Sequence, residues 1–169
     1  MSEFSDRVMQ QVPALRRYAR ALTGDPSAAD DLVQDCLERA WSRFHLFRED
    51  GNLRAWLFTI MHNLNANAAR RASRRPRTVP FEHDRHAMPV SGNQEDRVAV
   101  AALSRALEDI PLEQREVVLL VGLEQMTYEE VARILDIPVG TVMSRLHRGR
   151  ERLRNAYDGQ AGPSIRRVK

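Results

Sequence analysis

The residues best equipped to do chemistry lie near the C-terminal end. Thr141, Met143, Ser144, Arg145, His147 and Arg148 crowd the N-terminal half of a helical segment spanning roughly 139–155. A helix fits the major groove of DNA, where a guanidinium can donate two hydrogen bonds to O6 and N7 of guanine. Just upstream, Thr127-Tyr128-Glu129-Glu130 opens a shorter helix at about 128–135, and Asp136-Ile137-Pro138 makes a tight turn between the two. Thr127 and Glu130 have capping-box spacing. These are the dimensions of a helix-turn-helix, with small Ala132 at the crossing and Val131, Leu135, Ile137, Val142 and Leu146 as its shared core. A helical hairpin with a basic outer face is the alternative. Arg150, Arg152 and Arg154 extend that face and suit phosphates, which supply affinity without sequence information.

Two further sets stand in the first half. RRASRRPR, at 70–77, closes a helix that also carries His62, Asn63 and Asn67. Amides beside arginines suit exposed bases as well as backbone. Equally, a cationic C-terminus is favoured by the helix dipole alone. The second set is acidic. Asp31, Asp35 and Glu38 recur at i, i+4 and i+7, with Asp30 and Gln34 beside them. They repel phosphate, so they are either a solvated face or a surface for a basic protein partner.

No enzyme site emerges. The sequence has no G-x-x-x-x-G-K-[ST], no G-x-G-x-x-G and no H-E-x-x-H. Cys36 falls on an apolar helical stripe and reads as a core residue. His83 and His86 have no second pair of soft ligands, so no zinc site is expected. Neither catalytic residues, a metal nor a cofactor are assigned.

Charge organises these sets. The 169 residues carry a net charge of +3, and 25 of the 26 basic residues are arginine. Divided along the chain, residues 1–69 sum to −1, 70–77 to +5, 78–94 to −1, 95–136 to −6 and 137–169 to +6. Two basic blocks alternating with acidic segments fit two separate contacts with a polyanion. Codon usage is a simpler account of the arginine excess. With 43% hydrophobic and 29% charged residues, the composition is that of a globular protein. No apolar window is long enough for a membrane span, and MSEFSDRVMQQ has no signal-peptide core. A single cysteine excludes an intramolecular disulfide and fits a reducing, cytoplasmic setting.

The elements that must position these sets are helical throughout. A first helix over 4–22 turns Val8, Val12, Leu15, Tyr18, Ala19 and Leu22 inward, with Pro13 a candidate break and Gly24 its end. Asp25-Pro26 caps a second, which runs to about Arg43 with Leu32, Val33, Cys36, Leu37, Ala40, Trp41 and Phe44 as its apolar stripe. FREDGN, Phe47 to Asn52, is a polar loop. A third helix over 53–74 turns Trp56, Leu57, Ile60, Met61, Leu64 and Ala68 inward and Thr59, His62, Asn63, Asn67, Arg70 and Arg71 outward. Proline-punctuated residues 75–93 read as a linker able to reach about 60 Å at roughly 3.3 Å per residue. A helix at 95–109 sets Val98, Ala102, Leu107 and Ile110 near one face, and an apolar helix follows at 113–123.

In this order the residues closely resemble a bacterial extracytoplasmic-function sigma factor, the smallest class of RNA polymerase specificity subunit. The resemblance covers about residues 5–155. It rests on Ala29 through Trp41, on Arg54-Ala55-Trp56-Leu57-Phe58-Thr59-Ile60 with Asn63-Leu64, on Leu107 through Pro111, on Tyr128 through Ala132, and on Pro138 through Arg150. It implies an all-α fold of two small domains: a sigma-2-like domain, 1–74, and a sigma-4-like helix-turn-helix domain, 95–157. A flexible linker, 75–94, joins them, and 158–169 form a mobile tail.

By the same resemblance, the first domain reads the −10 promoter element and helps open the duplex. The loop Phe47–Asn52, with Arg48 and Asn52, matches the family's loop that captures a flipped base. His62, Asn63, Asn67, Arg70 and Arg71 belong to the surface facing that strand. The second domain reads the −35 element through Thr141, Ser144, Arg145, Arg148 and Arg150. Asp31, Gln34, Asp35 and Glu38 match the surface that docks on the β′ clamp helices of core polymerase. The implied partners are core polymerase, including its β flap, promoter DNA and an anti-sigma factor, with the free chain monomeric. Two departures stand out: many members have Asp where this chain has Asn67, and a basic residue where it has Met143. The rival reading is a stand-alone helix-turn-helix regulator, which would dimerise and hold its operator without polymerase.

Overall fold

The computed structural model describes residues 2–74 and 93–160. The linker residues 75–92, with His83 and His86, and the tail residues 161–169 lie outside the described residues. Among the described residues there are seven α-helices, one 3-10 turn and no strand.

Helix α1 (Ser2–Thr23) buries Val8, Val12, Leu15, Tyr18, Ala19 and Leu22, every position its periodicity assigns inward. It runs unbroken through Pro13. Pro13 sits on the exposed face, where water can satisfy the carbonyl left without a donor. Gly24 ends the helix at φ +68°, its N–H donating to the Arg20 carbonyl at 3.0 Å. The left-handed φ requires glycine; a Cβ would lie 2.8 Å from Glu108 Oε1, the end of a flexible side chain that can swing aside. Asp25 then caps α2 (Pro26–Ser42) by accepting from the N–H groups of Ser27 and Ala28, each at 3.2 Å. Such a cap is worth about 1 kcal/mol.

Helix α2 buries Ala29, Leu32, Val33, Cys36 and Ala40. The C-terminal end of its expected stripe does not go inward: Trp41 is 44% and Phe44 42% exposed. The helix stops at Ser42, and a 3-10 turn at Phe44–Leu46 redirects the chain. There the two rings gather around Phe4, at centroid distances of 5.5 and 6.0 Å. Helix α3 (Leu53–Arg74) has the expected span, but its buried set differs from the expected one. Leu57 and Met61 are buried, Trp56, Ile60 and Leu64 are half-buried, and Ala68 is exposed. Phe58, which periodicity leaves off the inner face, is buried edge-on to Tyr18 at 5.1 Å. The cause is tertiary: α3 packs on α1 and α2 and also on α6.

The second half comprises α4 (Gln94–Glu108), α5 (Leu112–Gly122), α6 (Tyr128–Leu135) and α7 (Val139–Gln160). Asn93, placed in the linker by sequence, caps α4 by accepting from the Asp96 N–H at 2.9 Å. Leu107 and Ile110 are buried, whereas Val98 is 64% exposed. Helix α7 outruns its expected end and carries residues 158–160, so the start of the expected tail is helical. The two halves share one hydrophobic cluster, in which α1 packs on α4 and α5 while α3 packs on α6. Arg115 ties the seam, donating to the carbonyls of Leu22 at 2.7 Å, Glu108 at 2.9 Å and Ile110 at 3.0 Å.

Cys36 is buried between α2 and α3, its thiol 3.4 Å from the Leu57 carbonyl. Burial pushes its pKa from 9.0 up to about 12. The neutral thiol is therefore favoured in the fold. Its contribution is intact below the ordinary thiol value and is lost as pH rises between about 9 and about 12. We expect alkylation by iodoacetamide at pH 8 to proceed only at the rate of unfolding. Rapid labelling of the native chain would show the thiol to be accessible.

Candidate nucleic-acid and protein interfaces

The helix-turn-helix is built by local rules. Thr127 Oγ1 accepts from the Glu130 N–H at 3.2 Å, and Glu130 Oε2 accepts from the Thr127 N–H at 2.9 Å, completing the capping box. Asp136 adopts the left-handed conformation at φ 52°, and the Ile137 N–H returns to the Ala132 carbonyl at 3.0 Å. Val131, Ala132, Leu135, Val142 and Leu146 are buried and Ile137 packs against them. This core fixes which side of α7 faces outward.

On that side Met143, His147, Arg148 and Arg150 are exposed, while Thr141, Ser144 and Arg145 are half-buried. Ser144 Oγ donates to the Thr141 carbonyl at 3.1 Å. Arg145 lies 3.5 Å from Glu113 of α5 and His147 3.7 Å from Glu151. Among the described residues no such ion pair engages Arg148. Its guanidinium, like that of Arg150, is exposed and can reach outward.

The −10 candidates separate into two groups. Asn63, Asn67, Arg70 and Arg71 line an open stretch of α3, with Arg70 Nη2 donating to Asn67 Oδ1 at 3.2 Å. The loop before α3 is anchored by Phe47, whose ring lies 5.3 Å from Trp56 and beneath the Arg7 guanidinium at 5.7 Å. In that loop Arg48 pairs with Asp50 at 3.2 Å. Asn52 and His62 instead face the second half. Asn52 Nδ2 donates to Glu130 Oε1 at 3.1 Å, and His62 Nδ1 lies 2.7 Å from Glu116 Oε1.

The acidic candidates on α2 are all open. Asp31, Gln34, Asp35 and Glu38 are exposed, with Gln34 Nε2 donating to Glu38 Oε1 at 3.0 Å. This ribbon points away from the packed core and can meet a basic surface.

Sequence reasoning misses the seam between the halves. Glu124, in the loop after α5, is fully buried. Arg17 of α1 grips its two oxygens at 3.1 and 2.9 Å, and Arg54 of α3 reaches Oε2 at 2.5 Å and the Glu124 carbonyl at 2.9 Å. Burial first, then the charges of Glu116 and Glu124, push the Tyr18 hydroxyl well above the ordinary tyrosine value. The only sequence signal was the acidity of segment 95–136, since a lone Glu in an apolar stretch does not announce its partner.

Comparisons with known proteins agree with this geometry. The family model for the Sigma2 domain of PhyR matches residues 8–62, and that for Sigma-70 region 4 matches 101–153. The chain is 36% identical over 148 residues to the ECF RNA polymerase sigma factor EcfG of Rhodopseudomonas palustris, covering 88% of this chain and 81% of the relative. This chain belongs to the ECF sigma factor family. It is also 36% identical over 152 residues to the RNA polymerase sigma-E factor of Streptomyces coelicolor, across 90% of this chain and 84% of that one. Among solved structures, the sigma factor RpoE of Bartonella quintana, bound to the anti-sigma factor NepR, matches with a TM-score of 0.76. Identity there is 30%, covering 94% of this chain and 98% of the other. CnrH, solved with the cytosolic domain of CnrY, matches with a TM-score of 0.67 at 28% identity over 92% and 88% of the two chains.

The order of the two matched domains sets this sigma factor apart from a stand-alone helix-turn-helix regulator. Among its described residues no helix is long and apolar enough to cross a membrane, and no cluster of three His, Cys, Asp or Glu could hold a metal ion.

Gly149 positions α7 for its task. A Cβ there would meet Val118 Cγ2 at 2.6 Å and the Gln114 carbonyl at 3.3 Å, so α7 can lie this close to α5 only with glycine. Gly149→Ala should destabilise the protein by about 1–3 kcal/mol through overpacking, outweighing its gain of about 1 kcal/mol in helix propensity. A urea unfolding midpoint equal to or above wild type would refute this.

Proposed function

We propose that this sigma factor binds core RNA polymerase through the acidic ribbon of α2 and reads two promoter elements with separate domains. Residues 1–74 act at the −10 element and 95–157 at the −35 element. The observation that carries the assignment is the coexistence of two unlike surfaces on one short chain. Helix α7 presents arginine and hydroxyl groups on a helix-turn-helix, while α3 presents amides and arginines beside an aromatic-anchored loop. The first suits duplex grooves and the second suits splayed single-strand bases. The chain does no chemistry of its own; its contribution is binding energy, which offsets the few kcal/mol needed to unstack and flip a base.

At the −35 element, Arg148 is the base reader, with Thr141, Ser144, Arg145 and Arg150 supporting it or meeting phosphate. At the −10 element, Asn63, Asn67, Arg70 and Arg71 track the strand, and Arg48, Asn52 and His62 border the flipped base. Asp31, Gln34, Asp35 and Glu38 meet the β′ clamp helices, and the second domain meets the β flap. Control by an anti-sigma factor is supported by the relatives solved with such partners. The free chain is a cytoplasmic monomer.

Run-off transcription with purified core polymerase tests the assignment. Promoter-specific transcripts are expected only with the sigma factor present, and a mobility shift only with holoenzyme. A free dimer holding promoter DNA at nanomolar affinity would overturn it. Arg148→Ala should lower transcription from promoters with a matched −35 element and remove about 1–3 kcal/mol of base discrimination. An unchanged preference between matched and mismatched −35 elements would remove Arg148 from the readers. Reversing charge at both Asp31 and Asp35 should weaken assembly with core polymerase without changing the helical circular-dichroism signal. Unaltered assembly would return that ribbon to an ordinary solvated face.

A further inference from the structure

The outward side of α7 is not uniformly polar. Val139 is 36% and Met143 53% exposed, and both lie at the start of the helix. At i and i+4 they share one side of it. A Cβ built at Gly140, between them, would meet nothing within 4 Å. Helical side chains lean over the turn N-terminal to their own Cα. Met143 therefore extends toward that open turn. Arg148 stands five residues further on, roughly 140° around the helix. The outward side is thus flanked by a donor at Arg148 and an apolar strip at Met143.

A helix-turn-helix sets the N-terminal residues of its second helix against base edges in the major groove. The base pairs differ there in donors and acceptors, and thymine alone adds a methyl group. A thioether donates no hydrogen bond and accepts only weakly. Against a polar base edge it would take a donor or acceptor out of water without giving it a partner. Against a thymine methyl it removes apolar surface of both from water. Methionine is unbranched and rotates about three bonds, so it adapts to a methyl group offered at a range of angles. We propose that Met143 reads a thymine of the −35 element through its 5-methyl group, as a specificity-determining residue beside Arg148. This rests on the −35 assignment of α7 made above. Charge separates the two roles. Arginines that meet phosphate release counterions and make binding salt-dependent. Met143 carries no charge, so it selects a base without altering that dependence.

Deoxyuridine in place of thymidine deletes this methyl group and leaves base pairing intact. The test uses holoenzyme and a duplex promoter that it transcribes, with each thymine of the −35 element, on either strand, replaced in turn. Wild-type holoenzyme should bind about fourfold more weakly with deoxyuridine at one or two positions, the worth of one buried methyl-sized group. Met143→Ala should bind the unmodified promoter about fourfold more weakly than wild type, and methyl deletion at the same positions should cost it nothing further. Its salt dependence should match wild type, unlike that of a variant lacking a phosphate-bound arginine. Met143→Leu, of similar volume, should restore the methyl sensitivity. Wild-type binding that is equal with thymine and with deoxyuridine at every position overturns the assignment. So does a Met143→Ala holoenzyme that still pays the full penalty for methyl deletion. A promoter with a scrambled −35 element separates the two levels of the argument. If wild-type holoenzyme binds it as well as the native promoter, the −35 assignment itself fails and the role of Met143 with it.

Discussion

A carboxylate removed from water constrains the whole arrangement. Glu124 has no exposed side-chain surface, and an isolated buried carboxylate would cost several kcal/mol in lost hydration. It is tolerable only because Arg17 and Arg54, from two helices of the other half, converge on it. The local backbone is shaped to deliver it: Gln125 takes a left-handed conformation at φ 56°, and the Glu124 and Met126 N–H groups return to the Leu119 and Leu120 carbonyls at 3.0 Å. A buried ion pair of this kind adds little net stability over an apolar contact. It does favour this register between the halves, because here Glu124 meets both Arg17 and Arg54.

The alternation of charge along the chain acquires a spatial meaning from that register. The acidic segment 95–136 supplies Glu116, Glu124 and Glu130 to the seam, where the first half answers with His62, Arg17, Arg54 and Asn52. The α7 arginines Arg148 and Arg150 and the α3 arginines Arg70 and Arg71 stay exposed. One set of charges joins the halves, and another stays at the surface. The acidic ribbon of α2 belongs to neither set; its exposure on a helix otherwise packed against α1 and α3 suits a third contact.

The folding of each half follows simpler physics. Each helix start with a capping side chain in view — Asp25, Asn93 and Thr127 — satisfies donors the helix cannot satisfy itself. Gly24 and Gly149 act differently: Gly24 takes a left-handed φ that ends α1, and Gly149 omits a Cβ where α5 comes close. The aromatic group of Phe4, Trp41, Phe44, Phe47 and Trp56 lies partly in water at the loop before α3. It holds that loop without burying it, leaving Arg48, Glu49 and Asp50 open to solvent.

What the sequence determined by itself was local. Helical periodicity placed the inner face of α1 residue by residue, the span of α3 and the bounds of α6, because spacing, caps and turn residues act over a few positions. The helix-turn-helix core was legible for the same reason, and its match to a known family supplied the order of the two domains. Only the tertiary structure decided how the halves meet. Phe58 is buried where Tyr18 of α1 meets its ring, while Ala68, ten residues on, is exposed. Asn52 and His62 face carboxylates from residues 78 and 54 positions away. No periodicity encodes a pairing at that separation. It depends on which surfaces exclude water together, and a buried charge such as Glu124 selects among them because an unpaired alternative is too costly to populate.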